Sequence, residues 1–452
     1  MGKDVVIYRR KAYDVLREWK RRSNGSTAML VEGSRRVGKS TLVNNFGNNE
    51  YSVCVLIDFS KVSSTVKALF DDLEDIDSLL RGLQLHTKRV FKNRDTLIIF
   101  DEVQRFPRAR ESIKALVQDG RYDYIETGSL ISIKKNVAGI LIPSEEESFT
   151  LHPMDFEEFL WANGDETFGL LEDAFLDRGG LDDHTHSVMM KRYMEYMAVG
   201  GMPQAVEAFV NGMSYQEIDR VKRSIIKLYI DDFRKIDESG MIGSYFVRTP
   251  SELSRGTTRY RTTYIEATVG RKKELELFAE LEDSKTVIVN HHVHDPRVGM
   301  SMTVDREFFK MYLEDTGLFV TLCFMDKDVS DNIIYEHLVS GRLPANLGFV
   351  FENAVAQALT AAGYKAFYHT FLKDDGKHSY EVDFIIPSGE RICPIEVKSS
   401  RINPHKSLDK FIEKYGKVID IPIMISTKNI RMIGDILNIP IYMTGFLNRR
   451  RL

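Results

Sequence analysis

Three things are scarce in this sequence, and each scarcity removes a class of protein. Cysteine occurs three times in 452 residues, as Cys54, Cys323 and Cys393. These lie among apolar neighbours without C-x-x-C spacing, which predicts buried thiols and speaks against a structural zinc. Long apolar runs are missing too, whereas crossing a bilayer takes roughly 20 such residues. The charged start MGKDVVIYRRK does not read as a secretion signal, so the expected location is the cytoplasm, with no membrane partner. Finally, there is no excess of positive charge. A net charge of -4 denies the chain a global nucleic-acid footprint, so any DNA contact must come from local basic patches. What remains is an ordinary globular composition, 43% hydrophobic and 28% charged, at a length that favours about three compact units.

The strongest motif is GSRRVGKST, which fills the G-x-x-x-x-G-K-[ST] pattern with Gly33, Gly38, Lys39 and Ser40 and closes on Thr41. Small residues let successive N–H groups curl around an oxyanion, and the following helix turns its positive end toward it. Lys39 would reach the β- and γ-phosphates of ATP, and Ser40 would hold Mg²⁺. A partner carboxylate should follow on a second buried strand. TLIIFDE at 96–102 meets that requirement, with Asp101 predicted to hold the metal's shell and Glu102 to polarise the attacking water. YDYIETGS predicts a further strand, whose end places Thr127 and Ser129 either to sense the γ-phosphate or to cap a helix starting at Leu130. The alternation of strands and helices predicts a parallel α/β sheet. Ala12, Leu16 and Trp19 predict an amphipathic helix before it, and Asp155 with Glu158 predicts a capping box after it.

GSRRVGKST, LIIFDEVQRFP, DYIETGSL, LHPMDFEEF and GGMPQAV together resemble a widespread prokaryotic family of AAA-type predicted ATPases, over nearly the whole chain. The C-terminal domain of that family resembles PD-(D/E)xK restriction-type nucleases. The resemblance implies an ASCE-class P-loop core at 1–164, a helical lid at 165–240, a winged helix at 241–300 and a restriction-endonuclease-like α/β domain at 301–452. One departure stands out. The segment LISIKKNVAGILIPSEEES, where oligomeric relatives place an arginine finger, contains no arginine. Lys134 and Lys135 supply charge there but not a planar fork. A switch that hydrolyses ATP slowly on its own is therefore expected.

Within 250–295, Arg255, Arg259, Arg261, Arg271, Lys272 and Lys273 with Tyr260 and Tyr264 offer phosphate contacts to double-stranded DNA, or equally a protein-facing surface. His292 and His294 share a strand face, His291 points away, and all three are expected as exposed strand residues. The last domain carries a second constellation. Glu396 and Lys398 fall on one face of a strand, Asp383 lies on its neighbour and Glu352 on a helix. This is the PD-(D/E)xK layout, in which Glu352, Asp383 and Glu396 would bind Mg²⁺ and Lys398 would position the attacking water. Two functions compete: an ATP-driven switch coupled to a DNA-directed nuclease-like module, and a regulatory or scaffolding ATPase whose last domain binds a protein partner or a second copy and cuts nothing.

Overall fold

Short runs of Val, Ile and Leu in the first 152 residues each become a strand of one parallel sheet. The strands are β1 (Ala28–Glu32), β2 (Val53–Asp58), β3 (Thr96–Asp101), β4 (Asp123–Thr127) and the more polar β5 (Glu146–Thr150), in the order β2-β3-β4-β1-β5. The computed structural model describes residues 6–129, 143–255, 271–297, 299–325, 332–341, 348–399 and 405–449. Its chain divides into two units, one of residues 1–152 with 283–285 and one of residues 153–282 with 286–452. Every residue of β3 is buried, as a central parallel strand covered on both faces requires. One face packs Ile98, Phe100 and Tyr124 against Leu80, Leu83 and Ile113. The other packs Val31, Ile99 and Ile125 against Leu16, Trp19, Val43 and Phe46. The predicted first helix, Ala12–Ser23, buries Leu16 and Trp19.

The second unit begins earlier than the expected boundary at 164. The helix Phe156–Ala162 opens on the predicted capping box of Asp155 and Glu158. Phe156 packs on Phe168, Tyr193 and Tyr196, and Phe159 on Tyr196. Its aromatic face is what draws it into this unit. Residues 165–240, expected as a lid, belong to the same unit. Their helices Asp183–Val199 and Tyr215–Ile236 are tied to later segments through Gln357, which donates to Tyr196 at 2.9 Å, and through Asp219, which accepts from Thr321 at 2.9 Å and Tyr335 at 2.5 Å. The GGMP break follows from close approach. Gly200 has φ 86, and a Cβ there would stand 2.3 Å from an Asp315 oxygen; Gly201 donates to Asp315 at 2.6 Å.

The second sheet is mixed. Its strands are β6 (Val287–Val293), β7 (Val304–Leu313), β8 (Phe367–Leu372), β9 (Ser379–Ser388), β10 (Arg391–Lys398), β11 (Ile423–Ser426), β12 (Arg431–Ile433) and β13 (Ile436–Pro440). The order is β12-β13-β11-β10-β9-β8-β6-β7. β6, expected as the strand of a winged helix ending at 300, instead pairs antiparallel with β7 and parallel with β8. Its sequence VIVNHHV suits either setting, and pairing with β7 and β8, both beyond residue 300, decides between them.

Candidate nucleotide site and carboxylate cluster

β1 ends at Glu32, and the chain turns through the phosphate loop into the helix Lys39–Glu50. The turn demands glycine twice. Gly33 has φ 139, and a Cβ there would lie 2.3 Å from the Leu151 carbonyl oxygen; Gly38 has φ 103. Lys39 is buried, and its ammonium donates to the carbonyls of Gly33 and Ser34 at 2.9 Å each. Arg10, which the sequence reading missed, is also buried. It donates to the Val37 carbonyl at 3.1 Å and the His152 carbonyl at 2.6 Å, pinning the loop from behind.

Asp101 closes β3 beside the loop. Its Oδ1 accepts from Ser40 Oγ at 2.8 Å and also from Thr127 Oγ1. Three predicted residues therefore meet at one carboxylate oxygen, from the helix, β3 and β4. These hard oxygen donors suit Mg²⁺. Thr41 is half-buried in the first helical turn, and Ser129 is half-buried past the end of β4. The helix that Thr127 and Ser129 are expected to cap, starting at Leu130, lies outside the described residues. Glu102 adopts φ 59 and ψ 44, a left-handed conformation uncommon for glutamate, and accepts from Gln104 at 2.6 Å. Asp58 ends β2 in register with Asp101 and pairs with Lys61 at 2.7 Å. Burial alone would raise Asp58, but hydrogen bonds from Lys61 and Ser60 hold it below the usual carboxylate range.

Of Arg105, Arg108, Arg110 and Arg121, which follow β3 in the chain, three are committed. Arg108 donates to the carbonyls of Phe70 and Asp71, Arg110 forks onto Glu146 at 2.6 and 3.0 Å, and Arg121 pairs with Asp77 and Asp119. Arg105 is exposed. Glu126 is wholly buried beside Glu146 and Arg110 with no donor to accept from. Burial, then the neighbouring Glu146, push its carboxyl well above the usual range.

In the second unit, E-x-K behaves as alternation requires, with Lys398 Nζ standing 2.5 Å from Glu396 Oε1. Asp383 reaches across from β9 and accepts from the Val397 N–H at 2.8 Å. The surprise is Lys310 on β7, buried among the carboxylates. It pairs with Glu381, lies 3.6 Å from Glu352 and 3.9 Å from Asp383, and Tyr312 donates to Glu352 at 3.3 Å. Burial would depress this ammonium, but the Tyr312 hydroxyl and the three carboxylates hold it well above the ordinary lysine range. Burial, then Glu352, push Asp383 well above its usual range despite Lys310. Glu396 has a second task, accepting the Leu408 N–H at 3.1 Å in the first turn of the helix Lys406–Tyr415. As they stand, these residues fit a lysine-neutralised cluster better than a divalent cation. Lys310 stands where charge would be needed, and Glu396 has both oxygens engaged. Sequence carried no signal for Lys310 or Tyr312, which only strand pairing brings to the motif; Glu381, two residues before Asp383 on β9, follows from the same alternation that sets Glu396 beside Lys398.

Other expectations resolve unevenly. Of the basic stretch, Arg259, Tyr260, Arg261 and Tyr264 lie outside the described residues, as do Lys134 and Lys135. Arg255 pairs with Glu252 at 2.8 Å and Lys273 with Glu276 at 3.8 Å, each on its own helix. The histidines correct their expectation: His292 is buried and His291 half-buried, and only His294 is exposed, because β6 is an interior strand.

An AAA domain model matches residues 25–160. Two domains of unknown function match beyond it, DUF8612 over 190–329 and DUF4143 over 347–442. Residues 25–160 thus carry an ATP-binding domain of the AAA type. No curated protein matches the chain. Among solved structures, the chain is similar to the Walker-type ATPase paby2304 of Pyrococcus abyssi, at 14% identity and TM-score 0.42, over 70% of this chain and 96% of that one. It is also similar to AMPPCP-bound DnaA from Aquifex aeolicus, at 12% and 0.27, over 62% and 95%. The Aeropyrum pernix ORC1 protein in complex with DNA follows at 13% and 0.25, over 74% and 93%.

Proposed function

We propose that the chain is an ATP-binding and hydrolysing switch of the AAA type, coupled to a nuclease-like module directed at double-stranded DNA. The convergence of Ser40 and Thr127 on one Asp101 oxygen carries the ATP half. Lys39 exchanges its loop carbonyls for β- and γ-phosphate oxygens, which gain more from an ammonium than neutral carbonyls do. Ser40 and Asp101 would hold the Mg²⁺, which would neutralise charge on the phosphates. Glu102 orients and polarises water, and Thr127 couples the end of β4 to the metal's carboxylate. With no arginine in 130–148, turnover is slow in the isolated chain. Titrating the full chain with ATP and Mg²⁺ tests this reading; tight binding that survives Lys39→Ala would remove it.

The coupled module has two readings. Asp383, Glu396 and Lys398 support cleavage by their arrangement. Lys310 supports the second reading, in which the cluster is a neutralised core and the module binds a partner without cutting. Plasmid incubated with Mg²⁺ or Mn²⁺, with and without ATP, separates the two: cleavage that disappears in Asp383→Ala establishes the nuclease. Absence of cleavage, together with DNA binding indifferent to salt, establishes the adaptor.

A further inference from the structure

β6 carries a second group of ligand-type side chains, away from the carboxylate cluster. His292 stands opposite Asp305 of β7. Pairing continues one residue past the strand, since the His294 N–H donates to the Thr303 carbonyl at 3.0 Å. Period-two alternation then sets His292, His294 and Asp305 on one face. One donor atom from each lies within 4.8 Å of the others, which among the described residues distinguishes this group. His294 Nε2 and Asp305 Oδ2 are 3.2 Å apart. Bonds of about 2.0–2.1 Å in a tetrahedral zinc site put neighbouring ligand atoms roughly 3.3 Å apart, so this pair already has ligand spacing.

A second observation points to a ligand. His292 is 8% exposed, and its Nδ1 has no hydrogen-bond partner. Its Nε2 is engaged by the Thr370 N–H and hydroxyl, each at 3.2 Å. A buried ring nitrogen without a partner costs free energy unless something binds it. His369 stacks on His292 but is committed to the Val293 carbonyl at 2.7 Å and the Tyr415 hydroxyl at 3.1 Å, so it adds no ligand.

We propose that His292, His294 and Asp305 form a binding site for a divalent transition-metal ion of the zinc class. Two imidazoles and a carboxylate suit Zn²⁺ or Co²⁺ over Mg²⁺, and exposed His294 leaves an entry path and a fourth position for water. Coordination through Nδ1 would take the tautomer protonated at Nε2, with the Thr370 hydroxyl accepting that proton and orienting the ring while the bond from the Thr370 N–H is lost.

Full-length protein stripped by chelator and titrated with Co²⁺ in excess Mg²⁺ provides the test. One equivalent should produce visible d–d bands that Zn²⁺ abolishes. His294→Ala, at an exposed position, and Asp305→Asn should each remove the bands. Thr370→Val should weaken binding about 10–100-fold while Thr370→Ser keeps it. Absent bands, or bands that persist in both ligand variants, would overturn the proposal. So would bands lost only in Asp383→Asn or Lys39→Ala, because the ion would then sit in the carboxylate cluster or the phosphate loop.

Discussion

The phosphate loop and the carboxylate cluster are built from the same kinds of residue, acids and a buried lysine, yet they offer opposite things to a ligand. Lys39 is held by two neutral carbonyls of a glycine loop. Lys310 is held by carboxylates. A phosphate easily outbids carbonyls for an ammonium, whereas nothing uncharged replaces Lys310 without leaving acids unpaired. What surrounds a lysine decides whether it is a binding group or a structural cation.

The largest effect should come from breaking the first arrangement. Lys39→Ala is expected to abolish ATP–Mg²⁺ binding by calorimetry while unfolding normally, since the carbonyls it leaves can turn to water. Breaking the second should cost stability instead. Lys310→Met strands buried carboxylates and should lower unfolding stability by about 3–5 kcal/mol. Mn²⁺ should recover part of that loss in the variant and do little for the wild type; urea melts with and without the ion decide it. A stable Lys310→Met protein would erase the contrast between the two lysines.

A smaller effect separates binding from chemistry within the first site. Glu102→Gln keeps size and hydrogen bonding, so ATP binding should persist while turnover falls by about 10². Unchanged turnover would make Glu102 a strand-end acid in an unusual backbone conformation. The smallest effect concerns Glu126, whose carboxyl is raised by burial beside Glu146. The native state then binds a proton that the unfolded state releases at lower pH. Stability should therefore fall as pH rises above the ordinary carboxylate range, and lie fully restored below it. Glu126→Gln donates to Glu146 at every pH and should flatten that slope in melts across pH 4 to 9.

The phosphate loop was legible because its parts are contiguous: nine consecutive residues determine the turn, and TLIIFDE announces a buried strand ending in acids. The pairing of Asp383 with Glu396 and Lys398 was legible for a similar reason, two adjacent strands close in sequence. Lys310 was not, because a lysine in EFFKMYL reads as the exposed member of an alternating strand, and only the order β9-β8-β6-β7 buries it. The histidines failed on the same ground. Their strand's location, interior rather than on a wing, depends on pairing with β8 some 75 residues later, a contact that no local pattern encodes.

That pairing has a consequence for how the chain is made. The five strands of the first sheet all come from the first 150 residues, so this sheet can close as soon as they have emerged. The second cannot. β6 and β7 form a hairpin whose inner edge stays open until β8 arrives at Phe367, and its far side waits for β13 at Ile436. During that interval the edge of β6 presents Val287, Val289 and Val293 on a bare ladder of N–H and C=O groups, the kind of template on which nascent chains aggregate. Chains arrested between residues 315 and 365 should consequently be insoluble or chaperone-bound, while chains arrested near residue 152 should release a soluble first domain.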